Sequence, residues 1–231
     1  MTNKLDRVQE AILEYDTYKP QGRYGVTSLE KPRYRVWVEN ENPGVDCTKP
    51  VGKIDSKIGT GFHLIAEQAM EHSDIKCEVE KVLKGKVGKY EVGGTCDLIL
   101  LDDQDIATVC DFKTMKAYPA KKAFNQEETA KFVKQLSLYA YLLKKAGYIV
   151  EPVGYIYVFV VGWTARDRNI PRTFRLDFTL MTTEEVKAYV DERIQALKNP
   201  TMDCPTWMCE QYCGVRDVCP HHNNHEFKKT V

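Results

Sequence analysis

The chain has no apolar run long enough to cross a bilayer as a helix: its longest, residues 155–161, falls far short of the roughly 20 residues a span requires. It has no surplus of charge of either sign, with 33 Lys and Arg against 33 Asp and Glu. That balance excludes a polycation that coats nucleic acid or anionic membrane through bulk potential, and leaves room for a local basic groove. Residues 1–12 alternate charged and apolar side chains and lack the continuous hydrophobic stretch of a signal peptide. No internal repeat or low-complexity segment is present, and 43% apolar residues over 231 positions exclude the disordered and fibrous classes. The expectation is a cytoplasmic protein in a reducing compartment, independent of membranes, with one sizeable core.

In such a compartment eight cysteines need an explanation other than disulfides. Cys47, Cys77, Cys96 and Cys110 are isolated, whereas Cys204, Cys209, Cys213 and Cys219 crowd the end of the chain. The spacing Cys204-x4-Cys209-x3-Cys213-x5-Cys219 offers four soft ligands in a Pro-bounded, helix-poor tail. Four thiolates suit Zn²⁺ or an iron–sulfur cluster. His221, His222 and His225 are replacement ligands if the metal is zinc. Cys96 and Cys110 each precede an acid by one residue, so they read as core thiols on the opposite strand face, and Cys77 reads as a buried thiol too.

Periodicity is weak over residues 1–57: the first dozen read as helical and the rest as mostly irregular. Ile58, Phe62, Ile65 and Ala69 then mark the apolar stripe of a helix running to about His72. Short segments rich in Val, Ile, Tyr and Leu follow at 76–83, 87–92, 96–101 and 106–112. Punctuated by Gly85, Gly88, Gly93-Gly94 and Asp102-Asp103, they read as a meander of strands. Residues 123–146 are helical again, with Phe132, Leu136, Tyr139 and Leu143 on one stripe and Gly147 as the stop. Strands at 153–161 and 172–178 come next. A last helix opens on the capping box of Thr182 and Glu185, turns Val186, Val190, Ile194 and Leu197 inward, and ends at Asn199-Pro200. This order predicts an α/β fold, a mixed central sheet flanked by helices, organised as an N-terminal segment 1–57, a core 58–198 and a cysteine tail 199–231.

Asp111 and Lys113 lie two apart at the end of an apolar strand, so a carboxylate and an ammonium leave one face together. Asp97 follows Gly94-Thr95-Cys96 beside another hydrophobic run. His63 and Glu67, four apart, share a helix face distinct from the apolar stripe, and Gln135 and Tyr139 share a face of the long helix. Each pair alone has a plain reading as a surface ion pair or as helix packing. Together and in order they supply hard oxygen ligands, an imidazole and a fixed cation. Phosphodiester hydrolysis needs this set: Mg²⁺ or Mn²⁺ on carboxylates, and a lysine to orient water or neutralise developing charge. An imidazole ligand tilts the site toward Mn²⁺.

The residues resemble the PD-(D/E)XK nucleases of the RecB-like branch, which carry His-x-x-x-Glu on a glycine-led helix, then G-x-x-D, D-x-K and Q-x-x-x-Y. The matching positions are Gly59 to His63 and Glu67, Gly94-Thr95-Cys96-Asp97, Asp111-Phe112-Lys113, and Gln135 with Tyr139. The resemblance implies a restriction-endonuclease-like core in which His63, Asp97 and Asp111 bind the metal and Lys113 is the catalytic lysine. Glu67 would support them, and Gln135 and Tyr139 would position the lysine or DNA. The tail resembles the C-terminal cluster of RecB-like exonucleases of the AddB and CRISPR-associated Cas-four types, which implies a [4Fe–4S] cluster stapling the chain end to the core. Cys213-x5-Cys219-Pro220 fits that pattern, and Cys209-x3-Cys213 is one residue longer. The fourth ligand stays open between Cys204, favoured by locality, and Cys47, favoured by the family layout.

Between Ile106 and Lys134 six lysines stand against three acids. Lys116, Tyr118, Lys121 and Lys122 follow Lys113 as a candidate DNA-binding loop that stacks on unpaired bases, a solvated lysine-rich loop being the plain alternative. With no G-x-x-x-x-G-K-[ST] phosphate loop, unwinding would need a helicase or a recombination or CRISPR partner. The expected activity is a Mg²⁺- or Mn²⁺-dependent DNA nuclease, an exonuclease on single strands or ends. The rivals are a non-catalytic zinc-knuckle binding module and a structure-specific endonuclease.

Overall fold

The computed structural model describes residue 12 and residues 24–224. The helix expected over the first dozen residues lies outside the described residues except at Ile12, which is helical, and His225 lies outside them as well. Backbone contacts divide the described chain into two units, one built on residues 24–30 and 59–191, the other on 31–58 and 192–224.

The strands are β1 (Tyr24–Gly25), β2 (Cys77–Val87), β3 (Tyr90–Leu101), β4 (Ala107–Lys116), β5 (Val150–Val161) and β6 (Thr173–Thr179). The helices are α1 (Arg33–Glu41), α2 (Pro50–Glu71), α3 (Ala117–Phe124), α4 (Ala130–Lys145), α5 (Thr183–Ala196), α6 (Thr206–Gln211) and α7 (Pro220–Asn224). No helix of the described residues is long and apolar enough to cross a membrane.

In the first unit the strands form one mixed six-stranded sheet in the order β1-β3-β4-β5-β6, with β2 also paired to β3. β1 runs parallel to β3 and β4 parallel to β5, the other pairs being antiparallel. This is the mixed α/β core expected of the sequence. β4 and β5 can be parallel because the chain crosses over between them through α3 and α4.

The strand expected at 87–92 is instead a hairpin turn. Val87 pairs with Tyr90, and Gly88 takes φ +59, a left-handed conformation that a residue without Cβ adopts without a clash. Gly93 and Gly94, read as punctuation, lie inside β3. The single helix expected over 123–146 is two helices: Gln126 and Glu128 both have positive φ, 63° and 55°, and these left-handed residues end α3 and turn the chain into α4. In α4 the expected stripe of Phe132, Leu136, Tyr139 and Leu143 is buried, and Leu138 and Leu142 are buried with it. Such burial stabilises by about 1.5–3 kcal/mol per large side chain.

The stripe expected on α2 is rotated. Ile58 is 47% and Ile65 66% exposed, while Phe62, Ala66 and Met70 pack with Leu98, Cys110 and Phe112. Phe62 belongs to both stripes, and its ring contact with Phe159, centroids 4.3 Å apart, fixes the rotation that turns His63 and Ala66 toward the sheet. The capping box at the start of α5 is present, with the Thr182 N–H donating to Glu185 Oε2 at 2.7 Å and the Glu185 N–H to Thr182 Oγ1 at 3.3 Å.

The second unit corrects the expectation of irregular chain over 31–57. Pro50 opens α2, a position where a missing N–H costs nothing. The apolar patch at 34–38 is helical. Asp203 caps α1 in place of Pro32, which has no capping side chain: the Arg33 and Tyr34 N–H groups donate to its carboxylate at 2.8 and 3.0 Å. Val38, Val215, Cys213 and Cys219 form a small core closed by Tyr34 and Trp37. The tail, expected to be helix-poor, holds the short helices α6 and α7.

Candidate active site

β3 and β4 pair from Leu101↔Ala107 to Leu98↔Cys110, and the next residues on the two strands are Asp97 and Asp111. There the Phe112 N–H donates to Asp97 Oδ2 at 3.0 Å, so a side chain takes the place of a backbone carbonyl and the strands part. On the other side of β3, the pairing of β2 runs through Val79↔Leu98 and Lys81↔Cys96, which sets Glu80 opposite Asp97. Glu80 has φ +46 and interrupts that ladder. Three carboxylates thus lie in one row across β2, β3 and β4. The acids are mid-strand and not at strand ends, because β4 continues along β5 to Lys116 after leaving β3.

Helices close the row from two directions. From α2, His63 Nδ1 lies 3.4 Å from Asp97 Oδ2. From α4, Gln135 Nε2 donates to Asp111 Oδ1 at 2.6 Å. Lys113 Nζ sits 2.5 Å from Asp111 Oδ2. Gly94 is required by packing: a Cβ there would meet Tyr139 Cε1 and the Tyr139 hydroxyl oxygen at 3.1 Å and Val26 Cβ at 3.2 Å. The Gly-x-x-Asp and Gln-x-x-x-Tyr patterns are therefore two sides of one contact. His63, Asp97, Asp111, Lys113 and Gln135 come together, Tyr139 packs on the strand that carries Asp97, and Glu67 lies near enough for its charge to act on Glu80.

Sequence reasoning missed Glu80. The signal was available: a hairpin turning at Gly88-Lys89 sets position 80 opposite position 97, and treating 87–92 as a separate strand hid it.

Burial sets the electrostatics. It raises the carboxyls of Asp97 and Glu80, and it pushes Asp111, 1% exposed, up to about 7 against the pull of Lys113. Burial opposes the charge on Lys113, but Asp111 and Asp97 outweigh it and hold the ammonium above its ordinary value. Burial, then Lys113, lowers His63 and keeps it neutral, the form that ligates metal. Cys96 and Cys110 are fully buried, as expected, and burial raises both thiols.

One ligand atom each of His63, Glu80 and Asp97 lies within 4.8 Å of the other two, and among the described residues no other set of three such groups converges this closely. Asp111 Oδ2 is buried with no hydrogen bond of sound geometry, the nearby ammonium notwithstanding. Hard oxygen donors and a neutral imidazole fit a divalent cation.

The candidate DNA-contacting residues sit at the start of the crossover, on a helix and not a loop. Lys116 precedes α3, and Tyr118 is 72% exposed. Lys121 is exposed too, and Lys122 lies 5.2 Å from the centre of the Tyr118 ring and 2.5 Å from Glu128.

In the second unit all five cysteines of interest are free thiols. Cys209, Cys213 and Cys219 are buried and Cys47 and Cys204 half-buried. Burial, then the neighbouring Cys209, pushes Cys204 up to about 12, and burial, then Cys213 and Cys219, raises Cys209. Cys204 is thus within electrostatic reach of Cys209 and Cys213, and Cys209 of Cys213 and Cys219. The Cys47 N–H donates to the Gly214 carbonyl at 2.6 Å, which ties the segment before α2 to the residue after Cys213.

A row of acids, a lysine and a histidine lies where two strands of a mixed sheet part, and a profile of the PD-(D/E)XK nuclease superfamily matches residues 60–220. The chain belongs to the PD-(D/E)XK nuclease superfamily. No curated protein matches it in sequence. Among solved structures, one titled "Crystal structure of SSO0001" is similar in fold, with TM-score 0.61 and 18% identity over 95% of this chain and 97% of that one. An alkaline exonuclease from Laribacter hongkongensis gives TM-score 0.46 at 8% identity, covering 81% of this chain and 84% of its own. The same exonuclease in complex with dAMP gives 0.45 at 9%, covering 82% and 87%.

Proposed function

We propose that this superfamily member is a divalent-metal-dependent DNA nuclease of the RecB-like branch, acting as an exonuclease on single strands or ends. The observation that carries the reading is the convergence of His63, Asp97, Asp111 and Lys113 at the parting of β3 and β4. His63, Asp97 and Asp111 would hold Mg²⁺ or Mn²⁺, which when bound supplies Lewis acidity toward a phosphate oxygen and toward water. Lys113 orients the attacking water and offsets the charge that develops on the phosphate as one P–O bond forms and the opposite one breaks. Gln135 fixes Asp111 through its amide, Tyr139 locks α4 against β3, and Glu67 backs the acidic row. Tyr118 offers an exposed ring for an unpaired base, and Lys116, Lys121 and Lys122 neutralise flanking phosphates, which supports a single-stranded substrate.

In the second unit we read Cys204, Cys209, Cys213 and Cys219 as ligands of a [4Fe–4S] cluster of the AddB or Cas-four type, with Zn²⁺ as the alternative and Cys47 as the rival to Cys204. Locality along the chain, and the reach of Cys204 to Cys209 and Cys213, support Cys204. A cytoplasmic setting, and a helicase or a recombination or CRISPR partner to open duplexes, complete the reading.

The test is Mn²⁺-dependent release of nucleotides from end-labelled single-stranded DNA. Closed circular single strands would be spared by an exonuclease and cut by a structure-specific endonuclease. The visible spectrum of anaerobically purified protein tests the cluster: a broad brown band that Cys204→Ser removes and Cys47→Ser leaves supports it, and a colourless protein with stoichiometric zinc rejects it.

A further inference from the structure

We propose that the connection between β5 and β6, residues 162–172, is an arginine arm that grips backbone phosphates of the substrate strand beyond the cleft. The proposal rests on the nuclease reading above and adds a contact to the part of the strand that lies away from the scissile bond.

Three observations carry it. The first is composition. Between Arg35 and Arg193 the chain has four arginines, Arg166, Arg168, Arg172 and Arg175, all within ten positions, and its other fixed cations there are lysines. A guanidinium presents a planar fork that matches two phosphate oxygens, which an ammonium does not. Within the arm three arginines stand against one acid, Asp167.

The second is pairing. Arg175 is held by Asp177 at 2.7 Å and lies 4.3 Å from the centre of the Tyr155 ring, so it is spent on the sheet. Arg166, Arg168 and Arg172 are exposed, and of the four arginines only Arg175 is in an ion pair among the described residues. The Asp167 carboxylate is used within the arm: Oδ2 accepts from the Thr164 N–H at 2.9 Å and from the Thr164 hydroxyl at 2.8 Å, which holds the turn Ala165–Asp167. The Trp163 Nε1–H donates to the Ile170 carbonyl at 3.1 Å, and the Arg172 guanidinium lies 4.7 Å from the centre of the Trp163 ring. The arm is thus ordered by its own hydrogen bonds, and a guanidinium stacked on an indole keeps its in-plane N–H donors for a phosphate.

The third is position. β4 and β5 are parallel, with Lys113 opposite Val158 and Lys116 opposite Val161. The arm therefore leaves the sheet at the end where Lys116 leads into α3, about 10 Å past the level of Lys113. α3 packs on the returning strand, the Phe124 and Phe174 ring centroids being 5.2 Å apart. The exposed Tyr118 of α3 and the arginines of the arm border the same end of the sheet. At the rise of one strand of B-form DNA that separation is about three nucleotides, so the arm meets a long strand and misses a short one.

The competing account makes the arm a solvated loop that touches no substrate. The two accounts separate in fluorescence anisotropy across a salt series, in a Lys113→Ala background, with single strands of about 4 and about 16 nucleotides, the range of single-strand site sizes. Arg166→Gln/Arg168→Gln removes two unpaired cations, and Arg175→Gln removes a paired one as the reference. On the long strand we expect the double variant to lose about 1.4 from the salt slope, about 0.7 for each phosphate contact. Arg166→Lys/Arg168→Lys should keep the slope and bind more weakly than the parent. On the short strand, and for Arg175→Gln on both, parent values are expected. Parent slope and affinity of the double glutamine variant on the long strand, equal losses on both strands, or an equal loss in Arg175→Gln each overturn the proposal. The nuclease reading then still stands on Mn²⁺-dependent degradation by the chain with Lys113 in place. A chain that neither binds nor degrades either strand overturns both.

Discussion

Gln135 donates its side-chain amide to Asp111 Oδ1 at 2.6 Å, across from Lys113 on the other carboxylate oxygen. The amide fixes the acid in one orientation without cancelling its charge. Gln135→Leu leaves a buried carboxylate oxygen without its donor, which costs about 1–3 kcal/mol. The expected outcome is a lower thermal midpoint and a Mn²⁺ affinity weakened about tenfold, read by calorimetry and titration. Unchanged values for both would remove Gln135 from the site.

The acids give the metal-free protein a pH signature. Asp111 is held up at about 7 against an ordinary carboxyl near 4, so between these values the folded state keeps a proton that the unfolded chain releases. Stability therefore falls as pH rises from about 4 to about 7. Asp97 and Glu80, also raised, act in the same direction. His63, lowered by burial, acts oppositely up to about 6.5. Melting curves in chelator should decline over this window. Mn²⁺ should restore stability above pH 7, by about 2.7 kcal/mol when free ion is 100 times its Kd.

Two glycines should respond in opposite ways to alanine. At Gly94 the new Cβ meets the Tyr139 ring and Val26 at 3.1–3.2 Å, and overpacking of this kind costs about 1–3 kcal/mol. At Gly61, inside α2, a Cβ meets nothing within 4 Å, and the gain in helix propensity is about 1 kcal/mol. Thermal melts of the two variants check the packing between β3 and α4.

On α3, Tyr118→Ala in a Lys113→Ala background should weaken binding of single-stranded DNA by about 1–3 kcal/mol and affect duplex less. Lys121→Ala should reduce the salt slope of single-strand binding by about 0.7. Fluorescence anisotropy across a salt series measures both.

The sheet, the long helix α4 and the capped α5 were legible because their apolar periods are strong and their ends carry glycine or a capping box. The side chains that converge at the candidate site were legible as pairs at fixed spacing. Three features were not. The rotation of α2 depends on where Phe62 docks, a tertiary contact that a helical stripe does not encode when two stripes overlap. The split of α3 from α4 depends on two left-handed residues, Gln126 and Glu128, that are not glycines. Glu80 has no motif of its own, and it joins the site only through the hairpin register opposite Asp97.

The most direct measurement is the Mn²⁺-dependent degradation of end-labelled single-stranded DNA by wild type beside Lys113→Ala and Asp111→Ala. Both variants should keep wild-type circular dichroism and the same metal content in the cysteine tail. The account predicts degradation by wild type and a loss of at least about 100-fold in each variant. Retained cleavage in both folded variants would contradict it.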